Sequence, residues 1–153
     1  MGHMKLVVFL LDDRRYALRL DAVERITRAV EVSPLPKAPG IVMGVINFVG
    51  RIVPVLNMRR RFGLPEQKIG VSDQFIIAVT SGRFVALPAD SVEGVLEIVD
   101  EDIIAALKIL PALGYIEGVA KLRNDMIFIH DLGTFLSLEE DEAIGRAVGE
   151  VGK

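Results

Sequence analysis

The stretch from Gly44 to Phe62 restricts the possible folds more than any other part of the chain. Two apolar runs, Val45–Val49 and Ile52–Leu56, flank a Gly50-Arg51 corner, and their β-branched residues favour an extended, pleated backbone. In a Phe48-Val49-Gly50-Arg51 turn, glycine at the third position supplies the positive φ that a type II turn requires. The stretch therefore reads as a buried hairpin. Ile46 and Phe48 alternate with Val45 and Val49, so apolar side chains leave both faces and protein is expected to cover both. Pro54 cannot donate to a ladder, which places its strand at an edge or a bulge. An edge inside an apolar segment is a place where another chain can dock.

At 153 residues the chain suits one domain or two very small subdomains. An apolar content of 51% and a mean hydropathy of +0.42 argue against disorder. The longest uncharged run, Ala38–Gly50, is interrupted by Pro39, Gly40 and Gly44 and is too short to span a bilayer, so direct membrane insertion is not expected. No signal-peptide pattern opens the chain, and residues 1–3 (Met1-Gly2-His3) read as an expression scar before a start at Met4. The absence of cysteine excludes disulfides and thiolate zinc ligands and makes the cytoplasm the default location. A net charge of −3 with both signs mixed argues against a nucleic-acid binder.

Taken in order, Lys5–Leu11 and Tyr16–Leu20 form a first hairpin about Asp12-Asp13. Asp21 is placed to cap a short helix through Ile26, with Val23 and Ile26 on one face. Val30–Val32 suggests a short strand, and the three prolines of Ser33–Gly40 mark a loop. After the central hairpin, Arg59–Phe62 is expected to form one helical turn. The polar segment Glu66–Asp73 is the best internal linker, placed near residues 63–73. Gln74–Thr80 and Arg83–Pro88 flank Ser81-Gly82, a hairpin signal. Asp90–Val99 is ambiguous between helix and strand. Glu101–Pro111 reads as a connection with Ile103, Ile104 and Leu107 facing inward. Tyr115–Leu122 and Met126–Ile129 pair about Arg123-Asn124-Asp125, and Leu132–Leu136 reads as a helical turn. Ser137 with Glu140 matches a capping box opening a helix over Leu138–Val148, with fraying expected past Ala147. Two similar halves, roughly Leu6–Phe62 and Phe75–Leu136, each carry several strands and end in a helical turn. The whole is mainly β, one or two small antiparallel barrels.

Catalytic motifs are scarce. The five serines lie outside any G-x-S-x-G context, and no phosphate loop follows Gly44 and Gly50. Beyond the scar, His130 is the single histidine. As a general base it needs a substrate cleft; otherwise it is a polar residue ending a strand. His130-Asp131 offers too few ligands for a metal, and Glu139–Glu142 has helical spacing. Asp100-Glu101-Asp102 reads as a surface helix cap rather than a carboxylate pair. Arg59-Arg60-Arg61 either meets an acidic partner or phosphate, or forms a solvated patch. No catalytic, cofactor-binding or metal-binding residue is assigned.

In order along the chain, these pieces resemble the CheW-like coupling proteins of bacterial chemosensory arrays. The resemblance is carried by Phe9, Leu11, Tyr16-Ala17-Leu18, Val23 with Ile26, and Leu35-Pro36, then by the run Gly44–Arg59 and Arg61-Phe62. Ala89–Val95, Tyr115–Ala120 and Ile129-His130-Asp131-Leu132 extend it, so that it covers about residues 5–137. The central hairpin is its specific part.

The resemblance implies a CheW-like fold over residues 4–137: two small, intertwined, five-stranded SH3-like antiparallel barrels with a hydrophobic groove between them. A C-terminal helix and frayed tail would follow over 138–153. It implies no enzyme activity and no cofactor. Its implied partners are the regulatory domain of the histidine kinase CheA and the tip of a methyl-accepting chemoreceptor. Carried over by position, Val23, Ile26, Gly44, Asn47, Phe48, Val49, Gly50 and Arg51 would lie on or behind partner-binding surfaces, and Val92 and Val95 would line the groove.

Three positions depart from the family pattern: Val49 stands where the family has Arg, Asn57 where it has Asp, and Arg25 where it has Glu. Val49 either offers an apolar tip to a partner or packs inward. Two other readings are a CheW-like adaptor for another output (pilus motility, gene regulation, or one without standard kinase binding) and a small-molecule-binding β-barrel.

Overall fold

The structure, a computed structural model, describes residues 2–80, 82–105, 116–122 and 125–151. Among these the chain forms two compact units, each from two separated segments. The first takes Met1–Val23 and Ala89–Phe135, the second Glu24–Pro88 and Leu136–Lys153. The units are therefore interleaved in sequence, and the two consecutive halves expected above do not exist as such. Residues 63–73 fall inside the second unit, so they do not link the two.

The first unit holds strands β1 (His3–Leu11), β2 (Arg14–Arg19), β8 (Ser91–Val99), β9 (Ile103–Ala105), β10 (Ile116–Leu122) and β11 (Asp125–His130). They join in the order β8-β1-β2-β11-β10-β9, six strands rather than five. The pairing is antiparallel except between β2 and β11, which run parallel with Tyr16 opposite Phe128. β1 reaches back to His3, and Asp100 donates its N–H to the Gly2 carbonyl. Leu6, Val8, Ala17, Ile98, Ala120, Ile127 and Ile129 form one core cluster. Val7, Phe9 and Leu11, which alternate with Leu6 and Val8, are also buried, and a row of rings (Phe9, Tyr16, Phe128) runs at 6.0 Å spacing.

The second sheet contains β3 (Val23–Arg28), β4 (Val42–Phe48), β5 (Arg51–Leu56), β6 (Gln74–Thr80) and β7 (Arg83–Ala89), in the order β3-β6-β7-β5-β4. Its core is Ile46, Val53, Val55, Phe75, Ile77 and Ala86. β5 lies between β4 and β7, with Val55 parallel to Ala86, so Pro54 is on an interior strand and not at an edge. Pro54 is tolerated there because of the ladder's phase. Its partner Val45 exchanges both backbone hydrogen bonds with Ser33 on the far side, so β4 asks no donor of Pro54. The β4–β5 register slips between Val42 and Gly44. The two sheets fit the SH3-like barrel pair expected from the resemblance.

Helix α1 (Met58–Phe62) is capped by Asn57, whose Oδ1 accepts from the Arg60 N–H at 3.0 Å, and ends at Gly63 in the left-handed region. Helix α2 (Leu138–Val151) opens with the expected box: Glu140 N–H donates to Ser137 Oγ at 3.0 Å and Ser137 N–H to Glu140 Oε1 at 2.9 Å. It runs past Ala147, where fraying was expected, because Ala147 and Val148 pack with Leu35, Val45 and Ile52.

Several local expectations are overturned. Residues 20–22 are a 3-10 turn with no side-chain cap from Asp21, and Val23–Arg28 is a strand. Val23 and Ile26 therefore point to opposite faces instead of sharing one. Val30–Val32 forms no strand; its neighbour Ser33 makes a single bridge to Val45. Asp90–Val99 resolves as strand from Ser91. Leu107, Tyr115, Ser81, Arg123 and Asn124, named in the expected connections, lie outside the described residues.

Candidate partner-binding surface

The β4–β5 hairpin turns at Val49-Gly50, with Phe48 opposite Arg51. φ is +50° at Val49 and +79° at Gly50. Two positive values make this a primed, type I′-like turn, not the expected type II, because the primed turn matches the right-handed twist of the strands. Asn47 Oδ1 accepts from the Gly50 N–H at 2.9 Å, bracing the loop. Gly50 is suited to this backbone, and Val49 is not: a β-branched side chain in the left-handed region costs about 1–2 kcal/mol. Val49 is 79% exposed. The tip is thus apolar and outward, which decides against the inward-packing alternative.

Behind the tip, Val45 and Ile46 are buried on opposite faces, Ile46 in the sheet core and Val45 against α2. Phe48 is half-buried and meets Phe84 edge-on at 6.3 Å. The Arg25 guanidinium lies 5.7 Å from the Phe48 ring centre and that of Arg51 lies 4.7 Å from the Phe84 ring centre. Arg25 is on β3 and Phe48 on β4, the two ends of the strand order, so the sheet curls until its extremes meet here. Gly44, by contrast, is buried support. Its φ is +150°, and a Cβ there would run into the Ser33 carbonyl oxygen and lie 2.6 Å from Val32 Cγ1. Val23 is half-buried, and Ile26 is 37% exposed on the β3 edge.

Val92 and Val95 sit on β8, at one end of the strand order in the first unit, with Val92 half-buried and Val95 60% exposed. Glu93 is the extra residue of a bulge, since Val8 pairs with Gly94 and Phe9 with Val92. Its carboxylate takes Arg15 at 2.7 Å, and Arg15 also pairs with Asp125. Val95 borders an apolar depression of about 290 Å³ floored by Val8, Leu96, Leu122 and Ile127. The ten residues expected at partner surfaces thus divide between the tip (Asn47–Arg51), the β3 edge (Val23, Ile26), the β8 edge strand of the other unit (Val92, Val95), and Gly44, buried behind the tip.

Other candidates are absorbed by the fold. Arg59 is buried and donates to the Pro65 carbonyl; Arg60 donates to the Gly40 carbonyl at 2.8 Å; Arg61 pairs with Glu140 at 2.7 Å. The arginine run is therefore neither a free anion site nor a solvated patch. Burial pushes the Glu140 carboxyl up. The Ser137 N–H and the Arg61 guanidinium more than offset this and hold it below its usual range. Arg83 pairs with Asp141 at 3.0 Å, so the first turn of α2 is held by two cations. His130 is buried with its ring 5.1 Å from Phe135, and Asp131 caps a 3-10 turn through the Gly133 N–H. Asn57, in place of the family Asp, still caps α1, and its amide donates to Glu66 at 2.9 Å, which a carboxylate cannot do. Among the described residues no three His, Cys, Asp or Glu side chains converge as metal ligands. Sequence reasoning noticed Arg25 only as a departure and missed Phe84. The Arg25–Phe48 approach depends on barrel closure, which local patterns do not encode.

The sequence matches the family model described as CheW-like domain over residues 5–140. It is 29% identical over 144 residues to the chemotaxis protein CheW of Rhizobium meliloti, with 93% of each chain covered. It is 33% identical to the chemotaxis protein CheW of Thermotoga maritima over 67% of this chain and 68% of that one. The crystal structure of the scaffolding protein TtCheW from Thermoanaerobacter tengcongensis superposes with a TM-score of 0.81 at 27% identity, covering 91% of this chain and 96% of that chain. With residues 5–140 matched by the family model and the fold shared, this chain belongs to the CheW-like domain family.

Proposed function

We propose that the protein is a non-catalytic coupling scaffold of a bacterial chemosensory array, joining the regulatory domain of a CheA-type histidine kinase to the tip of a methyl-accepting chemoreceptor. The observation that carries this reading is the β4–β5 tip, where Val49 stands 79% exposed on left-handed backbone. Backbone strain retained at an exposed point supports a contact made to something else. Similarity to proteins named for chemotaxis and scaffolding supports the same conclusion.

Coupling of this kind is geometric. Sheet edges and hairpin ends meet another protein's strands, and depressions on the sheet receive apolar side chains. A few buried Val, Ile and Phe side chains, at roughly 1.5–3 kcal/mol each before association costs, suffice for micromolar affinity. We place the protein in the cytoplasm, where a kinase regulatory domain and a receptor tip meet. No helix among the described residues is long and apolar enough to cross a membrane.

Titration calorimetry with the purified regulatory domain of the kinase from the same organism, and separately with a soluble receptor-tip fragment, tests the reading. Binding of both at about tens of micromolar or tighter is expected. Failure of both to bind would overturn it.

A further inference from the structure

Five arginines are paired with carboxylates at home: Arg15 with Glu93 and Asp125, Arg19 with Glu117, Arg60 with Glu66, Arg61 with Glu140 and Arg83 with Asp141. Arg25 and Arg51 are set apart by their aromatic seats at the hairpin tip. Both are exposed, each lies on an aromatic face, and neither is bonded to a carboxylate among the described residues. The rings hold the two cations in place without cancelling their charge. Val49 projects from the same hairpin tip as Arg51, and beside Arg51 the surface dips into a recess of about 280 Å³ lined by Pro54, Val79, Phe84 and Val148, with Arg83 at its wall. The net charge of the chain is −3, so this cationic point is set against an overall acidic background.

From this we infer that the β4–β5 tip selects an acidic protein segment, whose carboxylates face Arg25 and Arg51 and whose apolar side chain enters the recess beside Arg51. The inference rests on the coupling reading and specifies the chemistry of the partner at that site. Charge complementarity decides between occupants. A basic or neutral partner would leave two ordered guanidiniums facing like charge or being dehydrated without compensation, whereas carboxylates gain two charge-assisted contacts. A second copy of this chain offers no such face at its own tip, where Arg25 would meet Arg51.

Two measurements test this. In the first, amide shifts are followed by NMR while acetyl-Glu-Leu-Glu-Leu-Glu-amide or its lysine counterpart is added. The acidic peptide is expected to move the signals of Arg25 and Phe48–Arg51 in the wild type but not in a folded Arg25→Glu/Arg51→Glu variant, and the lysine peptide to leave them in place. Equal responses to both peptides, or none at the tip, overturn the inference. In the second, the kinase regulatory domain is titrated against wild type, the double charge reversal and Arg25→Lys/Arg51→Lys. The reversal should weaken binding roughly tenfold or more and the lysine pair much less. Wild-type binding unmoved by reversal overturns the inference and leaves the coupling reading intact. A selective response to the acidic peptide without any kinase-domain binding supports the inference and counts against the kinase half of the coupling reading.

Discussion

The two units each contain a two-residue hairpin, and the pair differ in how well their residues suit the same backbone. In β1–β2 the turn is Asp12-Asp13, with φ of +52° and +64°. In β4–β5 it is Val49-Gly50, with φ of +50° and +79°. Aspartate visits the left-handed region at modest cost; valine does so only under compulsion. The first turn is also tied down by the Asp12 N–H, which donates to Asp90 at 2.9 Å. The first hairpin is therefore consistent at every level from residue to register. The second spends stability at one residue, and that residue is 79% exposed at its tip. A local rule broken at an outward-facing apolar point is where function is to be sought.

The largest effect expected on the second hairpin is at its base. Gly44→Ala forces a Cβ into the Ser33 carbonyl at positive φ, and we expect a loss of about 3–5 kcal/mol by chemical denaturation. Gly94→Ala, at φ +130° on β8 with open space around it, should cost only about 1 kcal/mol. Similar losses at the two glycines would mean that the close approach of Ser33 to β4 is unimportant.

Exchanging the character of the turns comes next. Asp12→Val imports the misfit into the first hairpin and should cost about 1–2 kcal/mol. Val49→Asn cures it in the second and should raise stability by about 1 kcal/mol, since Asn-Gly is the preferred pair for this turn. The same Val49→Asn variant should bind the kinase regulatory domain several-fold more weakly. Stability and binding that move together would refute the idea that strain is retained for contact.

The smallest effect concerns the brace behind the second hairpin. Because Glu140 is held below its usual range in the folded state, the unfolded chain takes up this proton first as pH falls. The stability it contributes is complete above the ordinary glutamate value of about 4.3 and is lost as pH drops through the lower, folded value. Glu140→Gln should therefore cost under about 1 kcal/mol at neutral pH and flatten part of the acid limb of a stability–pH curve. An unchanged acid limb would mean that the Arg61 pair carries little.

Much of the fold was legible in the sequence because hairpins are local. Asp12-Asp13 and the Gly50 corner mark turns between β-rich runs, and Ser137 with Glu140 marks a helix start. What escaped was settled by partners far along the chain. Val23–Arg28 has helix-like spacing and becomes strand because it pairs with β6 some fifty residues later. Arg61 read as part of a free basic run, and its partner Glu140 is supplied by α2. The interleaving of the units follows from the same long-range pairing. The turn type was within reach, because a two-residue loop between twisted strands already calls for positive φ at Val49 as well as Gly50. The aromatic seats of Arg25 and Arg51 were not, since they exist only once the sheet has closed.

Helix α2 carries a practical consequence for anyone trimming this protein. The family-model match ends at residue 140, yet Ala147 is only 2% exposed, sealed with Val148 against Leu35, Val45 and Ile52. A fragment cut at that border would leave the underside of β4 wet and its greasy residues free to seek one another. Such a fragment would clump in the test tube for reasons unrelated to any signalling contact.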